Sequence, residues 1–181
     1  MRLLKLLLLV TLILLLTSCD EINQPIAEKD LSPVELYQKK VDPKEHHCLS
    51  LNIYHEARND NLAGMVATAD VVLNRVNDTR YPNDVCAVVY QSQVWESGIP
   101  KKHKCQFSWY CDGLSDEPRV GISWEKSKKI AENLLLNDTH RGLTEGATHY
   151  HAHYVKPYWA IDDGMHLVGT IGEHIFYRWD K

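Results

Sequence analysis

The chain has 181 residues, 24 acidic and 20 basic side chains, a formal net charge of −4 and 44% hydrophobic residues. That length supports one domain. A net negative chain with no Lys/Arg stripe argues against a nucleic-acid partner, because neutralising phosphates needs clustered positive charge, and its scattered charge reads as a solvated surface.

Arg2 and Lys5 precede an 11-residue run, Leu6 to Leu16, that is apolar but for Thr11 and ends in Leu16-Thr17-Ser18-Cys19. A membrane-spanning helix needs about 20 apolar residues, so the order basic, apolar, small reads as a secretion signal rather than a span. The Leu-Thr-Ser-Cys segment resembles a lipobox, which implies cleavage before Cys19 and lipidation of that cysteine. Removing residues 1–18 leaves 18 basic against 24 acidic groups, a net charge of −6. The expected place is the periplasmic side of the envelope, with a lipid anchor in a membrane. In enterobacteria-like sorting, Asp20 favours the inner membrane.

Residues 19–43 are polar and interrupted by Pro25, Pro33 and Pro43, the composition of a tether, although Leu31 to Lys40 has the pattern of a short helix. The domain proper is expected over residues 44–181. His46 to Arg58 lacks proline and glycine and places Cys48, Leu51, Ile53 and Ala57 on roughly one side of a helix. Leu62, Met65, Val66, Ala69, Val72, Leu73 and Val76 recur at three- and four-residue steps, which predicts a second helix with a buried face. Pro82-Asn83-Asp84 is a start signal for a short helix containing Val85, Val88 and Val89. Gln91 to Gly121 reads as loop. Ser123 is expected to cap a helix through Leu136 that turns Trp124, Ile130, Ala131, Leu134 and Leu135 inward. Beyond Gly146, alternation in Thr148 to Val155 and in Leu167 to Trp179 predicts strands. The expected fold class is α+β, mainly helical, with a small C-terminal antiparallel β region.

Four cysteines remain after Cys19, and outside the cytoplasm an even number favours disulfides over free thiols. Three pairings are possible. Cys105 and Cys111 are close enough to close a short loop, which leaves Cys48 with Cys86 to join two helical segments.

Glu56 stands between two apolar helical faces, in Tyr54-His55-Glu56-Ala57-Arg58. Partial desolvation there raises a carboxyl pKa and lets it carry a proton near neutrality, as a general acid must. On pattern alone, a glutamate near a helix end is more often a surface residue or one paired with a neighbour such as Arg58.

That segment, followed by Gly64-Met65-Val66-Ala67, Val72-Leu73-Asn74-Arg75-Val76, Tyr81-Pro82 and Val88-Val89-Tyr90-Gln91, resembles the spore-cortex-lytic (SleB-type) cell wall hydrolase family. Cys105-Gln106-Phe107-Ser108 with Cys111-Asp112-Gly113, Ala147-Thr148-His149-Tyr150-His151, Pro157-Tyr158-Trp159-Ala160 and Ile171-Gly172-Glu173-His174-Ile175-Phe176-Tyr177 continue the likeness in order, so that it covers roughly residues 46–178. The resemblance implies a lysozyme-like domain that acts on peptidoglycan glycan strands without a cofactor. It places the catalytic glutamate at Glu56 and implies lytic transglycosylation of the bond between N-acetylmuramic acid and N-acetylglucosamine. Gln106, Ser108, His149, Tyr150, His151, Trp159 and Tyr177 are the expected substrate-binding residues, since amides meet hydroxyls and aromatic rings pack on sugar faces. Ordinary core packing is the competing reading for the aromatics. If the enzyme instead hydrolyses, Asp112, Asp116, Asp162 and Asp163 are candidates for the second carboxylate a glycosidase needs.

Two other readings stand beside this one. His149, His151 and His153 alternate, so on a strand they would share one side and could bind zinc, with Glu56 as base, in an amidase or peptidase. The helical His-Glu-x-x-His signature is absent, because Arg58 and Asn59 follow Glu56-Ala57. The other reading is a non-catalytic glycan-binding lipoprotein, which retention of Glu56 opposes.

Overall fold

The structure, a computed structural model, describes residues 41–138 and 140–180. The signal segment, Cys19, Asp20, the tether up to residue 40 and the helix expected at Leu31 to Lys40 lie outside the described residues. Among the described residues no helix is long and apolar enough to cross a membrane.

Helix α1 (Pro43–Ala57) starts where Asp42 accepts a hydrogen bond from the Lys44 amide at 2.7 Å, with Pro43 supplying the fixed φ suited to the first helical position. It begins at Pro43 rather than at His46, and Val41 ahead of it is already buried. Every residue from Cys48 to Tyr54 is buried. The helix is therefore central, enclosed on several sides rather than on the one side its apolar spacing suggested.

Helix α2 (Leu62–Val76) has the predicted limits, and the Asn61 side chain caps it by accepting from the Gly64 amide at 2.9 Å. Helix α3 (Val85–Val89) is capped by Asp84, which accepts from the Ala87 amide at 2.7 Å. Glu45 of α1 accepts from the Val85 and Cys86 amides at 2.6 and 3.4 Å, so a carboxylate meets the positive end of α3. The Cys48–Cys86 disulfide fixes the same junction. Helix α4 (Ile122–Asn137) packs on α1, with Ser127, Ile130, Ala131 and Leu134 buried and Trp124 and Leu135 partly so. It starts two residues earlier than expected, with Gly121 at the cap position and no side-chain cap. Ser123 lies inside the helix, where its carbonyl accepts from the Ser127 hydroxyl at 2.9 Å.

Between α3 and α4 the expected loop contains an antiparallel hairpin, β1 (Ser92–Val94) with β2 (Pro100–Cys105), followed by a 3-10 turn at Ser108–Cys111 that the Cys105–Cys111 disulfide closes. The hairpin escaped prediction because β1 is three residues long and β2 reads Pro-Lys-Lys-His-Lys-Cys, with no apolar alternation to register.

The C-terminal sheet has the order β3-β5-β4, from β3 (His149–Ala152), β4 (Met165–Ile171) and β5 (His174–Trp179), all antiparallel. The stretch Leu167 to Trp179 is thus two strands, folded back at Gly172, whose φ of 58° suits a residue without a side chain. Asp60 explains two glycines at once. Its carboxylate accepts from the Glu173 amide at 3.0 Å and lies where a Cβ on either Gly64 or Gly172 would overlap it.

The apolar core is divided unequally. The main part joins α1 to α4 with Phe107 and Trp109, and full burial of side chains such as Leu49, Ile53, Met65 and Val72 contributes roughly 1.5–3 kcal/mol each. A second, small cluster of Ala67, Val71, Ala147 and Phe176 joins the sheet to α2.

Candidate functional site

Glu56 occupies the last turn of α1, its side chain reaching toward β3. Tyr150, next to Phe176 and His174 at ring distances of 5.6 and 5.2 Å, donates its hydroxyl proton to Glu56 Oε2 at 3.1 Å. Burial lifts the Glu56 carboxyl above its usual range, while the Tyr150 hydrogen bond and the positive charge of Arg75 pull it down without cancelling the rise. Burial and the neighbouring carboxylate push the Tyr150 phenol well above its ordinary value, so it stays protonated and remains a donor. Arg58, the neighbour considered as a partner for Glu56, instead bonds the Tyr54 carbonyl and lies 5.1 Å over the Tyr54 ring.

Arg75 arrives from α2. Its Nε donates to the Thr148 carbonyl at 2.8 Å, one Nη reaches Gln106 Oε1 at 3.4 Å, and its guanidinium lies over the Tyr81 and Phe107 rings. The same helix contributes Asp70 and Asn74. Asp70, fully buried, pairs with Arg141 at 2.5 Å and accepts from the Gly142 amide and from the Thr144 amide and hydroxyl. Asn74 donates to Thr144 Oγ1 and to the Ala147 carbonyl, both at 2.9 Å. These contacts hold the segment that leads into β3, and hence Tyr150, against α2. The sequence reading assigned no role to Asp70, Asn74 or Arg75. Their signal was present all the same, as Asn74 and Arg75 falling four and five positions after Asp70 on a largely buried helix, where an unpaired polar group is costly.

A cavity of about 250 Å³ is lined by Glu56, Arg75, Cys105, Gln106, Phe107, Ser108, His149, Tyr150 and Trp159. Five of the seven expected binding residues are therefore gathered around Glu56. His151 and Tyr177 are not among them. They stack at 5.4 Å with a 3.2 Å hydrogen bond between them and pack edge-on to Trp159 at 5.6 and 5.5 Å, supporting that ring from outside the cavity. Burial, reinforced by Arg75 and Arg80, lowers the His149 pKa to about 4, so this imidazole is neutral at neutral pH.

On its other side Glu56 lines a cleft of about 780 Å³, shared with Tyr54, His55, Arg58, Ser108, Trp109 and the segment from Asp112 to Arg119. His55 explains its own place in the motif. It stacks on Trp109 at 4.6 Å and hydrogen-bonds the Asp116 carbonyl at 2.9 Å, while the Tyr54 hydroxyl accepts from the Arg119 amide at 3.2 Å. The two residues before Glu56 in the helix thus pin one wall of the cleft. Of the four aspartates considered, Asp112 and Asp116 lie in this cleft, whereas Asp162 and Asp163 line a separate cavity of about 300 Å³ beyond His149 and Trp159. Glu117, not singled out in the sequence, also lines the cleft.

The expected three-histidine face does not form. His149 and His151 lie on β3, but the strand ends at Ala152 and His153 turns away to pair with Glu173 at 3.1 Å. Among the described residues no group of three or more His, Cys, Asp or Glu side chains is arranged to hold a metal ion.

Residues 59–177 match the model of a protein family described as Cell Wall Hydrolase, a span that begins just after Glu56. No curated protein matches the chain. Among solved structures, the catalytic domain of the germination-specific lytic transglycosylase SleB from Bacillus anthracis is similar at 23% identity and a TM-score of 0.57, covering 76% of this chain and 97% of that one. The catalytic domain of the Bacillus cereus SleB protein is similar at 23% identity and a TM-score of 0.51, over 75% of this chain and 91% of that one. At this identity the likeness establishes the fold they share.

Proposed function

The chain belongs to the cell wall hydrolase family, and we propose that within it the protein is a peptidoglycan lytic transglycosylase with Glu56 as its acid and base. The observation that carries this reading is the state of Glu56. It is a half-buried carboxyl with a raised pKa, held by a protonated Tyr150, and among the described residues the sole carboxylate lining the 250 Å³ cavity. A solvated surface glutamate would show none of these.

In the proposed reaction Glu56 gives its proton to the oxygen linking N-acetylmuramic acid to N-acetylglucosamine, and the bond from that oxygen to the muramic anomeric carbon breaks. The 6-hydroxyl of the same muramic residue bonds to that carbon, and its proton returns to Glu56. The acid is regenerated, no water is consumed and no second carboxylate is required, unlike ordinary glycoside hydrolysis. Tyr150 is a positioning residue in this scheme. Gln106 and Ser108 hydrogen-bond sugar hydroxyls or acetamido groups, neutral His149 accepts or donates one hydrogen bond, and Trp159 offers a ring to a sugar face.

The test is the product. Wild-type protein acting on purified peptidoglycan should leave fragments ending in 1,6-anhydro-muramic acid by mass spectrometry. Glu56→Gln should lower the rate by roughly 10²–10⁴-fold, the usual worth of a general acid, with its unfolding transition retained. Reducing sugar ends would instead mark hydrolysis, with Asp112, Asp116 or Glu117 as the place to look for the second group. Free peptide stems would mark an amidase.

We also propose that the protein is anchored through lipid on Cys19 on the periplasmic side of the envelope. The supporting observation is the signal and Leu-Thr-Ser-Cys pattern in the sequence. Radiolabelled palmitate should enter wild type but not Cys19→Ser. Fractionation should find the lipidated form in the inner membrane if Asp20 acts as a retention signal.

A further inference from the structure

The β1–β2 hairpin carries side chains that the proposed chemistry does not use. At its tip Val94, Trp95 and Ile99 are 50%, 60% and 62% exposed. The tip is a formed turn, with the Trp95 amide donating to the Ile99 carbonyl at 2.9 Å and the Gly98 amide to the Trp95 carbonyl at 2.8 Å. Immediately behind it β2 bears Lys101, Lys102, His103 and Lys104, against a single acid, Glu96, in the whole hairpin. The chain carries a net charge of −4, so this is a local reversal of sign. The Lys101 ammonium lies 4.7 Å over the Trp95 ring, placing charge and aromatic surface side by side.

An exposed apolar tip of this kind marks an interaction surface. Its chemistry selects the partner. Indole rings settle where hydrocarbon meets polar headgroups, lysine stems lie along apolar surface while their ammonium groups reach phosphate, and basic clusters are drawn to anionic lipid. We infer that the hairpin docks onto a membrane containing anionic phospholipid, with Val94, Trp95 and Ile99 entering the headgroup region and the three lysines meeting phosphates. This contact is separate from any lipid on Cys19. The base of the hairpin is also where the cleft begins. The Gln106 amide donates to the Gln91 carbonyl at 2.9 Å, Cys105 is bonded to Cys111, and Gln106 and Ser108 line the cavity beside Glu56. A hairpin seated on lipid therefore orients the cleft relative to the membrane plane.

The experiment uses the full-length chain bound to vesicles with brominated acyl chains, made of phosphatidylcholine alone or mixed with phosphatidylglycerol, and reads tryptophan emission. Wild type and Trp95→Phe share the same N-terminus, so their difference reports Trp95 alone. The expected result is bromine quenching in the mixed vesicles that Trp95→Phe lacks and that falls sharply in phosphatidylcholine alone. Lys101→Glu with Lys102→Glu should remove most of it, since each lysine near an anionic surface is worth about a fivefold change in partition. Equal quenching of wild type and Trp95→Phe, or quenching indifferent to phosphatidylglycerol or to the lysine changes, overturns the inference and points to a wall polymer or protein partner. Unfolding midpoints matching wild type establish that the variants are folded.

Discussion

The helical part of the domain and its sheet are held by different forces. The four helices share a continuous apolar cluster and a disulfide between α1 and α3, whereas the sheet touches α2 through four fully buried residues, Ala67, Val71, Ala147 and Phe176. Polar contacts make up the difference: Asp70 to Arg141 and Thr144, Asn74 to Ala147, and Arg75 to Thr148. Apolar packing tolerates small shifts, but hydrogen bonds hold direction to a few tenths of an ångström. The part that supplies Glu56 is secured by volume, and the part that supplies Tyr150 and His149 is secured by geometry.

Removing the central polar contact should have the largest effect on that arrangement. Asp70→Ala leaves Arg141 without its buried partner and should cost about 3–5 kcal/mol in urea unfolding. Amide exchange should quicken in β3 to β5 before it does in α1. A loss below about 1 kcal/mol, or exchange that quickens equally everywhere, would show that the small apolar cluster suffices to hold the sheet.

A smaller change probes what the sheet does for the acid. Tyr150→Phe keeps the ring and deletes the hydrogen bond to Glu56, which favours the charged form. The Glu56 pKa should rise further, so the alkaline fall in activity, where the acid loses its proton, should move to higher pH. The rate constant should drop about tenfold because the carboxyl is held less firmly. An unmoved pH profile would mean that Tyr150 serves packing alone.

At neutral pH the smallest effect concerns His149, which acts on stability only in acid. Its pKa in the folded protein is lowered from 6.5 to about 4, so the folded state binds protons less readily than the unfolded one. The stability gained by keeping it neutral is present above pH 6.5 and is lost as pH falls through about 4. His149→Gln should flatten that part of the stability profile, and an equally steep decline in the variant would assign it to other groups.

The same division governs what could be read in advance. Helix α2 was legible to its limits because burial of one chain segment imposes a period on its apolar residues. Glu56, Gln106, Ser108, Tyr150 and Trp159 were legible as a set only through motif likeness, and the structure brings them to one cavity. Asp70, Asn74 and Arg75 were visible as polar residues on a buried helix, yet their partners lie seventy or so positions away on a segment whose approach no local pattern encodes. His151 and Tyr177 share chemistry with the cavity residues but belong to the layer behind Trp159, a difference of position that residue type cannot express. The β1–β2 hairpin, built from polar residues, offered no period at all.

Asp60 has a consequence for how this domain can change. One carboxylate fills the space above Gly64 on a helix and Gly172 in a hairpin turn, positions far apart in sequence. Lengthening a side chain at Gly64 therefore displaces an anion that also ties down the Glu173 amide, and the disturbance surfaces in the turn between β4 and β5. The three positions drift together or not at all. In descendants of this chain an alanine at position 64 should travel with the loss of the acid at position 60, a coupled exchange that a survey of homologues can recognise without any measurement on the protein itself.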